Sequence, residues 1–405
     1  MLATTETITV IRTEKVSFHA HPRVIDELFA CNRLSADVWN TCLEEAEEYH
    51  LETGKWIGQT ELQKRIKRRF PLHSQCIQAV CHKYLRARDG AHAAKKNGHS
   101  HIRYPYKRKK HFNTRWAKDG FTIHANGRIE LSRGIWKGKR QIPLVVYVTT
   151  LPKGTIKEIE LLFDRKLMLA VTYEAEVESS TVSGEHRCAI DLGEIHTIAA
   201  VATTGKSVII TGRKVRSIRR LRNKKLAELQ RKMSHCQRYS RQWKKYNRAK
   251  QYLLSKSERQ LRDALHKTTK QFVEWAAWQQ VNEVVVGKLD GVGRHTSKRK
   301  KKKVRSRRHN QRMSQWAFGR TTSYLGYKLQ VNRIKLRKEE ESFTSQTCPV
   351  CTRRKKVSGR VYQCKCGYTQ HRDIHGAGNF LAKVWYGGIQ QLPFPILPPM
   401  YLRIA

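Results

Sequence analysis

Four of the chain's ten cysteines, Cys348, Cys351, Cys364 and Cys366, are crowded into TCPVC and QCKCGY, with twelve residues between the two pairs. No other feature restricts the fold so tightly. Four thiolates on two short turns suit tetrahedral zinc, and a filled four-sulfur shell leaves no position for a substrate, so the role expected of the ion is structural. The second pair is Cys-x-Cys rather than Cys-x-x-Cys, which makes His371 a competing ligand, while Gly367 supplies the tight turn of such a knuckle. The other six cysteines are scattered. That distribution fits a reducing, cytoplasmic compartment and a metal site rather than a secreted disulfide scaffold.

The 405 residues include 81 Lys and Arg against 33 Asp and Glu, a formal charge of +48. Such an excess calls for a polyanionic partner. A membrane surface also attracts cations, but no apolar run reaches the roughly 18 residues of a spanning helix and MLATTETITV lacks the layout of a signal peptide, so nucleic acid is the better reading. A nucleoid-associated location is expected in a prokaryote. A hydrophobic content of 39% is enough to give two or three domains a core each.

TITVIRTEKVSFHAH alternates like a half-buried strand, and a helical stretch from about Pro22 to Ala94 follows, with Val24, Ile25, Leu28, Leu34, Val38, Trp39 and Leu43 on one face. From about Tyr104 to Glu176 short strands return, divided by Gly, Asn and Lys turns. A β-barrel interrupted by helices explains this order. From Glu185, CAIDLG, HTIAAVATTG and SVIITG read as a β-meander opening an α/β domain. Arg213 to about Gln280 contains no Pro or Gly and predicts two long basic helices joined near Ser255. VNEVVVGKLDG is a short apolar strand. Lys298 to Arg308, with nine basic residues in eleven, is too self-repelling to fold alone and is expected to be a mobile loop that gates the site, grips a displaced strand or serves as a nuclear address. QWAFGRTTSYLGYKLQVNRI and IHGAGNFLAKVWYGG are helical, and the proline-rich end from Gln390 is expected to be irregular.

Metal-dependent cleavage of a phosphodiester requires carboxylates that converge from distant parts of the chain. Asp191 ends the apolar strand of CAIDLG, beside a glycine, where its side chain can emerge at a sheet edge; the ordinary reading of such a residue is a turn former. Asp373, in HRDIHGAGN at the start of a helix, reads ordinarily as an N-cap.

The succession CAIDLG, ALHKTTKQFV, VVVGKLDG, TSQTCPVC, CKCGY and HRDIHGAGN resembles the RuvC half of the transposon-encoded TnpB family, relatives of Fanzor proteins and of miniature type V CRISPR effectors, over residues 185 to 383. RYPYKRKKH and the strands after it look like that family's wedge domain. The resemblance implies an RNase H-like RuvC domain at 183–384, carrying basic helices at 213–280 and a zinc ribbon at 345–370. It is preceded by a wedge-type β-barrel (1–20 and 101–182) interrupted by a helical recognition domain (21–100) and followed by an irregular tail at 385–405. It also implies a partner guide RNA, a double-stranded DNA target read beside a short adjacent motif, and cleavage at a two-Mg²⁺ site. Asp191 matches the family's first catalytic Asp and Asp373 its third.

The middle acid, usually a Glu at the end of the strand before Leu, is here replaced by Gly287 and Lys288. In a Fanzor-like subset a substitute comes from just before the ribbon, which here reads EEESFTSQTC and puts Glu341 in a slot that is typically Pro. Glu341 is therefore the expected relocated acid, ahead of Glu283 and Asp290. A two-ion site then expects it within about 5 Å of both aspartates, since the ions sit about 4 Å apart. The ordinary reading of Glu339 to Glu341 is a solvated acidic turn, with Lys288 lying near the phosphates. Tyr239, Trp243 and Tyr246, interleaved with Arg and Lys, are candidates for stacking on bases, and Trp275 and Trp278 for the core. The alternative function is a nuclease-dead, RNA-guided DNA-binding protein, and a DDE-type transposase is a weaker third.

Overall fold

The computed structural model describes residues 6–179, 184–288, 306–357 and 359–404, in two compact units, Thr9–Glu176 and Val177–Ala405, the second joined by Met1–Ile8. The N-terminal unit takes in β1 (Glu6–Val16) from Thr9 onward and three helices, α1 (Pro22–Thr53), α2 (Gln59–Ile66) and α3 (Ser74–Lys96). The single helical stretch read from the sequence breaks at Gly54, whose φ of 68° closes α1. Both α1 and α3 begin at a histidine, the Nδ1 atoms of His21 and His73 accepting from the amides of Arg23 and Gln75.

The chain continues through β2 (Thr114–Ala117), β3 (Phe121–Ile123), β4 (Arg128–Leu131), β5 (Ile135–Trp136), β6 (Lys139–Arg140), β7 (Leu144–Tyr147), β8 (Thr155–Asp164) and β9 (Lys166–Ser179). These strands form three sheets in the orders β1-β9-β8-β2, β3-β4-β7 and β5-β6. The closed wedge barrel expected from the sequence is not formed among the described residues. Strands β2 to β7 are two to four residues long, too short to carry hydrogen bonds around a full circumference. Helices and sheets share one core, in which Leu28, Trp39, Val80, Leu131, Ile159 and Leu161 meet. Buried Asn32 fastens α1 to β2, its Oδ1 accepting from both the amide (3.0 Å) and the hydroxyl (2.9 Å) of Thr114.

The C-terminal unit is built on β10 (His186–Asp191), β11 (His196–Ala202) and β12 (Ser207–Thr211), an antiparallel meander. Helices α4 (Arg213–Ser234) and α5 (Arg241–Trp278) lead to β13 (Val281–Gly287), parallel to β10. Next come α6 (Arg307–Ser314), α7 (Phe318–Val331) and β14 (Lys335–Glu339), the last parallel to β13. The hairpin β15 (Val361–Gln363) and β16 (Thr369–His371) precedes α8 (Arg372–Trp385). The chain ends in β17 (Met400–Leu402).

The sheet order is β14-β13-β10-β11-β12-β17. Both faces of its middle are covered, which is why these strands are continuously apolar in sequence. Side chains alternate: Cys188, Ile190, Ile198 and Ala200 pack with Phe272 and Trp275 of α5 and Leu325 of α7. Ala189, Ala199 and Val201 pack on the other side with Ile374, Ala377 and Phe380 of α8.

Two features of this unit differ from the sequence expectation. The basic helices join at 235–240 rather than near Ser255; Tyr239 takes a φ of 68° and the Ser240 hydroxyl caps α5 by accepting from the Trp243 amide, so the break needs neither Gly nor Pro. The tail is not irregular throughout, because Met400, Tyr401 and Leu402 pair with Val208, Ile209 and Ile210 and extend the sheet. The prolines stop at Pro399, which leaves the residues after it free to donate to a neighbouring strand.

Substituting Asn32 by Ala leaves the Thr114 amide buried and unpaired, and is expected to lower stability by about 1–3 kcal/mol. A urea melt with an unchanged midpoint refutes this account of the seam.

Candidate active site and metal ribbon

Asp191 is the last residue of β10, and the parallel register that pairs Ile190 with Val286 brings it beside Gly287 at the end of β13. Gly287 is paired on its other side with Glu339. The chain then turns back, and the Glu341 carboxylate enters the space in front of Gly287. A Cβ on Gly287 would lie 2.0 Å from Glu341 Oε2 and 2.2 Å from its Cδ. Position 287 is bare, and the carboxylate of another segment fills the place where its side chain would begin. The third acid, Asp373, sits in the first turn of α8. That helix lies against Asp191 through a glycine: a Cβ at Gly376 would stand 2.8 Å from Asp191 Oδ2.

Asp373 is not the N-cap that its position suggested. His371 is, its Nδ1 accepting from the Asp373 amide at 3.3 Å. The Asp373 carboxylate is thereby free to accept at Oδ2 from His196 Nδ1, 2.6 Å away. His196 opens β11 and has Arg360 Nη1 3.4 Å from its other ring nitrogen. Sequence reading missed both residues. The available signal for His196 was the short turn after Asp191, since an antiparallel return puts the start of the next strand next to the end of the last.

The charges act on one another. Burial, then the negative charges of Glu341 and Asp373, pushes Asp191 up to about 8, with Arg372 opposing. Burial also raises Glu341. Burial works to raise Asp373 too, but the His196 hydrogen bond and the charges of His196, His371 and Arg372 outweigh it and hold the group below the usual carboxylate value. Three carboxylates from three segments, one of them raised by burial and then by its neighbours' charges, form a donor set suited to a hard cation. Their oxygens do not all lie within 4.8 Å of one another; among the described residues the close ligand groups are the four cysteines and His196, His371 and Asp373.

Other candidates separate. Glu283 stands at the far end of β13 from Gly287, near Arg337 Nε at 3.6 Å. Asp290 lies outside the described residues, as does most of the basic run from Lys298, whose last two residues begin α6. The Lys288 amide extends the strand pairing by donating to Glu339 O at 2.7 Å. Trp275 is in the core as expected, but Trp278 is 67% exposed, on the last turn of α5 where the helix runs off the sheet. Tyr239 is exposed and packs beside half-buried Trp243, and Tyr246 is also half-buried.

The ribbon brings its sulfurs together, Cys348 to Cys366 at 3.6 Å and Cys351 to Cys364 at 3.5 Å. Tetrahedral bonds of about 2.3 Å require sulfurs roughly 3.8 Å apart, so the set fits zinc. Gly367 makes the knuckle turn with φ 92°. His371 takes no part, being committed to the cap of α8 with its ring beside His196. The ribbon is tied to α8 by Tyr362, stacked on His375 at 3.8 Å. Buried Asn379 adds two bonds from Nδ2, to Thr344 O (2.8 Å) and Thr347 O (2.7 Å). The Thr344 hydroxyl in turn donates to Glu341 O at 3.0 Å. The segment HRDIHGAGN thus carries one acid and braces the turn that carries another.

Two family models match the chain: a probable transposase model over residues 170–293, and the Cas12f1-like TNB domain over residues 318–380. The putative RNA-guided DNA endonuclease InsQ of Escherichia coli (strain K12) is 26% identical over 265 residues, covering 64% of this chain and 62% of that protein, so the match spans under two thirds of the relative's length. Among solved structures, the Cas12f1-sgRNA-target DNA complex superposes with a TM-score of 0.64 at 12% identity, covering 92% of this chain and 98% of that one. The mini-RNA-guided endonuclease CRISPR-Cas_phi3 does so with 0.51 at 10% identity, covering 96% and 94%. At such identities the likeness is one of fold.

Purified chain is expected to carry about one zinc ion, and Cys351→Ser together with Cys366→Ser to lose it. Metal analysis by plasma mass spectrometry checks this, and a zinc-free wild type with unchanged melting in a chelator excludes a structural ion.

Proposed function

We propose that this chain is a member of the TnpB family and an RNA-guided DNA endonuclease, a reading that the transposase and TNB-domain matches and the likeness to InsQ support. In this reading it binds a structured guide RNA, reads a short motif beside its DNA target and cleaves the DNA at a Mg²⁺-dependent site made by Asp191, Glu341 and Asp373. The observation that carries the reading is the Glu341 carboxylate standing where a side chain at Gly287 would begin, beside Asp191. A loss of the middle acid by decay has no reason to leave another carboxylate in its place. The charge of +48 and the fold shared with a guide RNA and target DNA complex support the nucleic-acid part.

Magnesium ions at such a site supply an activated water and stabilise the attacking and leaving oxygens of the phosphate. The protein's contribution is to hold its oxygens. Asp191 is fixed between β13 and α8, and Glu341 is fixed by the turn that Thr344 and Asn379 tie down. His196 occupies Oδ2 of Asp373 and leaves the other oxygen for the cation. Arg360, beyond His196, adds positive charge on the side away from the acids.

The test is cleavage of a plasmid library with a guide-matched target and a randomised flank, by protein purified with its native RNA in Mg²⁺. Cuts beside one flanking motif are expected for the wild type and none for Glu341→Ala. Returning the acid to the strand, as Gly287→Glu in the Glu341→Ala background, is expected to restore part of the cutting. Gly287→Glu alone puts two carboxylates in one space and is expected to impair it. Guided binding without cuts in the wild type identifies a nuclease-dead binder instead.

His196→Ala is expected to lower the cleavage rate about 10- to 100-fold, as loss of a group that orients a metal ligand does, and to raise the Mg²⁺ concentration needed. An unaltered Mg²⁺ dependence removes His196 from the site.

A further inference from the structure

A pocket of about 290 Å³ opens between α4, α5 and the start of α7. Its walls include Arg219 and Arg222 from α4, Glu258 and Leu261 from α5, and Trp316 and Arg320 around the start of α7. The guanidinium of Arg320 is neutralised by Glu258 Oε1 at 2.5 Å. Arg219 and Arg222 have no ion pair among the described residues, and Arg219 Nε is buried without a hydrogen-bond partner. Leaving a guanidinium N–H dry and unpaired is costly, and an anion in the pocket removes the cost. Burial, then the charge of Arg222, lowers Arg219 to about 10, the direction expected of a cation lacking its counter-charge.

The pocket's helix is tethered to the acids. One turn before Arg219, Arg216 Nε lies 3.5 Å from Glu194, and Arg312 reaches the same carboxylate at 3.8 Å. Glu194 lies in the turn between Asp191 and His196. A strand held in this pocket is therefore anchored on an element fixed to the loop of the candidate active site.

We propose that this pocket is a phosphodiester site in which Arg219 and Arg222 grip one backbone phosphate of single-stranded nucleic acid, with the apolar wall of Leu261 and Trp316 beside the attached nucleoside. Guanidinium forks match phosphate oxygens in pairs, which lysine does not. A concave site of this size admits a flexible strand, whereas a stacked duplex keeps its phosphates on a convex surface. The proposal builds on the nuclease reading only for the strand's role as substrate; binding itself requires neither guide nor cleavage.

The test is fluorescence anisotropy of the full chain with a labelled single-stranded oligothymidylate over roughly 50 to 200 mM NaCl. Arg219→Gln with Arg222→Gln is expected to weaken binding about tenfold and to make the slope of log K against log salt shallower by about 0.7, the loss of one phosphate contact. Arg231→Gln, on an exposed part of the same helix outside the pocket, is the control, with less than a twofold effect expected. Inorganic phosphate at constant ionic strength is expected to compete with the strand on the wild type and not on the double variant; competition that is equal in both overturns the proposal. So does a double variant that matches Arg231→Gln in affinity and slope. If the double variant fails to fold by circular dichroism, Arg219→Lys with Arg222→Lys decides: charge is kept and the fork lost, so weakened binding with a near-normal slope supports the site and wild-type affinity overturns it. Because no cleavage is read, a failure here leaves the endonuclease reading standing, and a failure in the plasmid assay leaves this one measurable.

Discussion

The C-terminal unit holds Asp191 at the end of its central strand, where burial and then the charges of Glu341 and Asp373 oppose its ionisation. In a chain with 81 basic residues a neutralising lysine would be easy to supply. Instead, positive charge is placed around Asp373, through His196, His371 and Arg372, and Asp191 is left in deficit. Such an arrangement is costly as a purely structural feature and suits an external cation.

The position of Glu341 follows from exclusion. A side chain at position 287 and the Glu341 carboxylate cannot occupy the same volume, so the glycine is what admits Glu341 to this place. Strand pairing brings Glu339 opposite Gly287, and two further residues are enough to turn the chain and aim Glu341 back over the strand end. Glu339 and Glu340 are spent differently, the first near Arg337 at 3.4 Å and the second accepting from the Ser342 hydroxyl. The run of three acids that reads as a solvated turn therefore divides into one half-buried member turned over the strand end and two that are satisfied locally.

What the sequence showed and what it hid divide along physical lines. The central strands were legible because burial on both faces makes them continuously apolar, and the ribbon because thiolate spacing is a short-range property. The joint at 235–240 was hidden because a serine cap and one left-handed tyrosine do the work usually marked by Gly or Pro. The strand at Met400–Leu402 was hidden by the prolines before it, and the open sheets of the N-terminal unit by strands whose closure depends on partners far along the chain. The two aspartates and Glu341 were candidates through the family resemblance, and the structure brings them to one end of the sheet. His196 was not a candidate, since its contact with Asp373 spans 177 residues and exists only through the hairpin and α8 together.

The ribbon bears on this site although it offers no open coordination position. Its apolar interior, Cys348, Tyr362 and Cys364 with Val357 and Tyr368 against them, is too small to hold a fold without cross-links. Four converging cysteines are the cross-link that such a small module can use, by holding a metal ion. The ribbon reaches the acids by two short routes: Tyr362 stacks on His375 of α8, two residues from Asp373, and Asn379 clamps the carbonyls of Thr344 and Thr347 between Glu341 and the first cysteine. An acid supplied by a strand is held by the sheet itself, whereas an acid supplied by a turn needs a brace. In this chain the brace on the Glu341 turn is α8 and the ribbon.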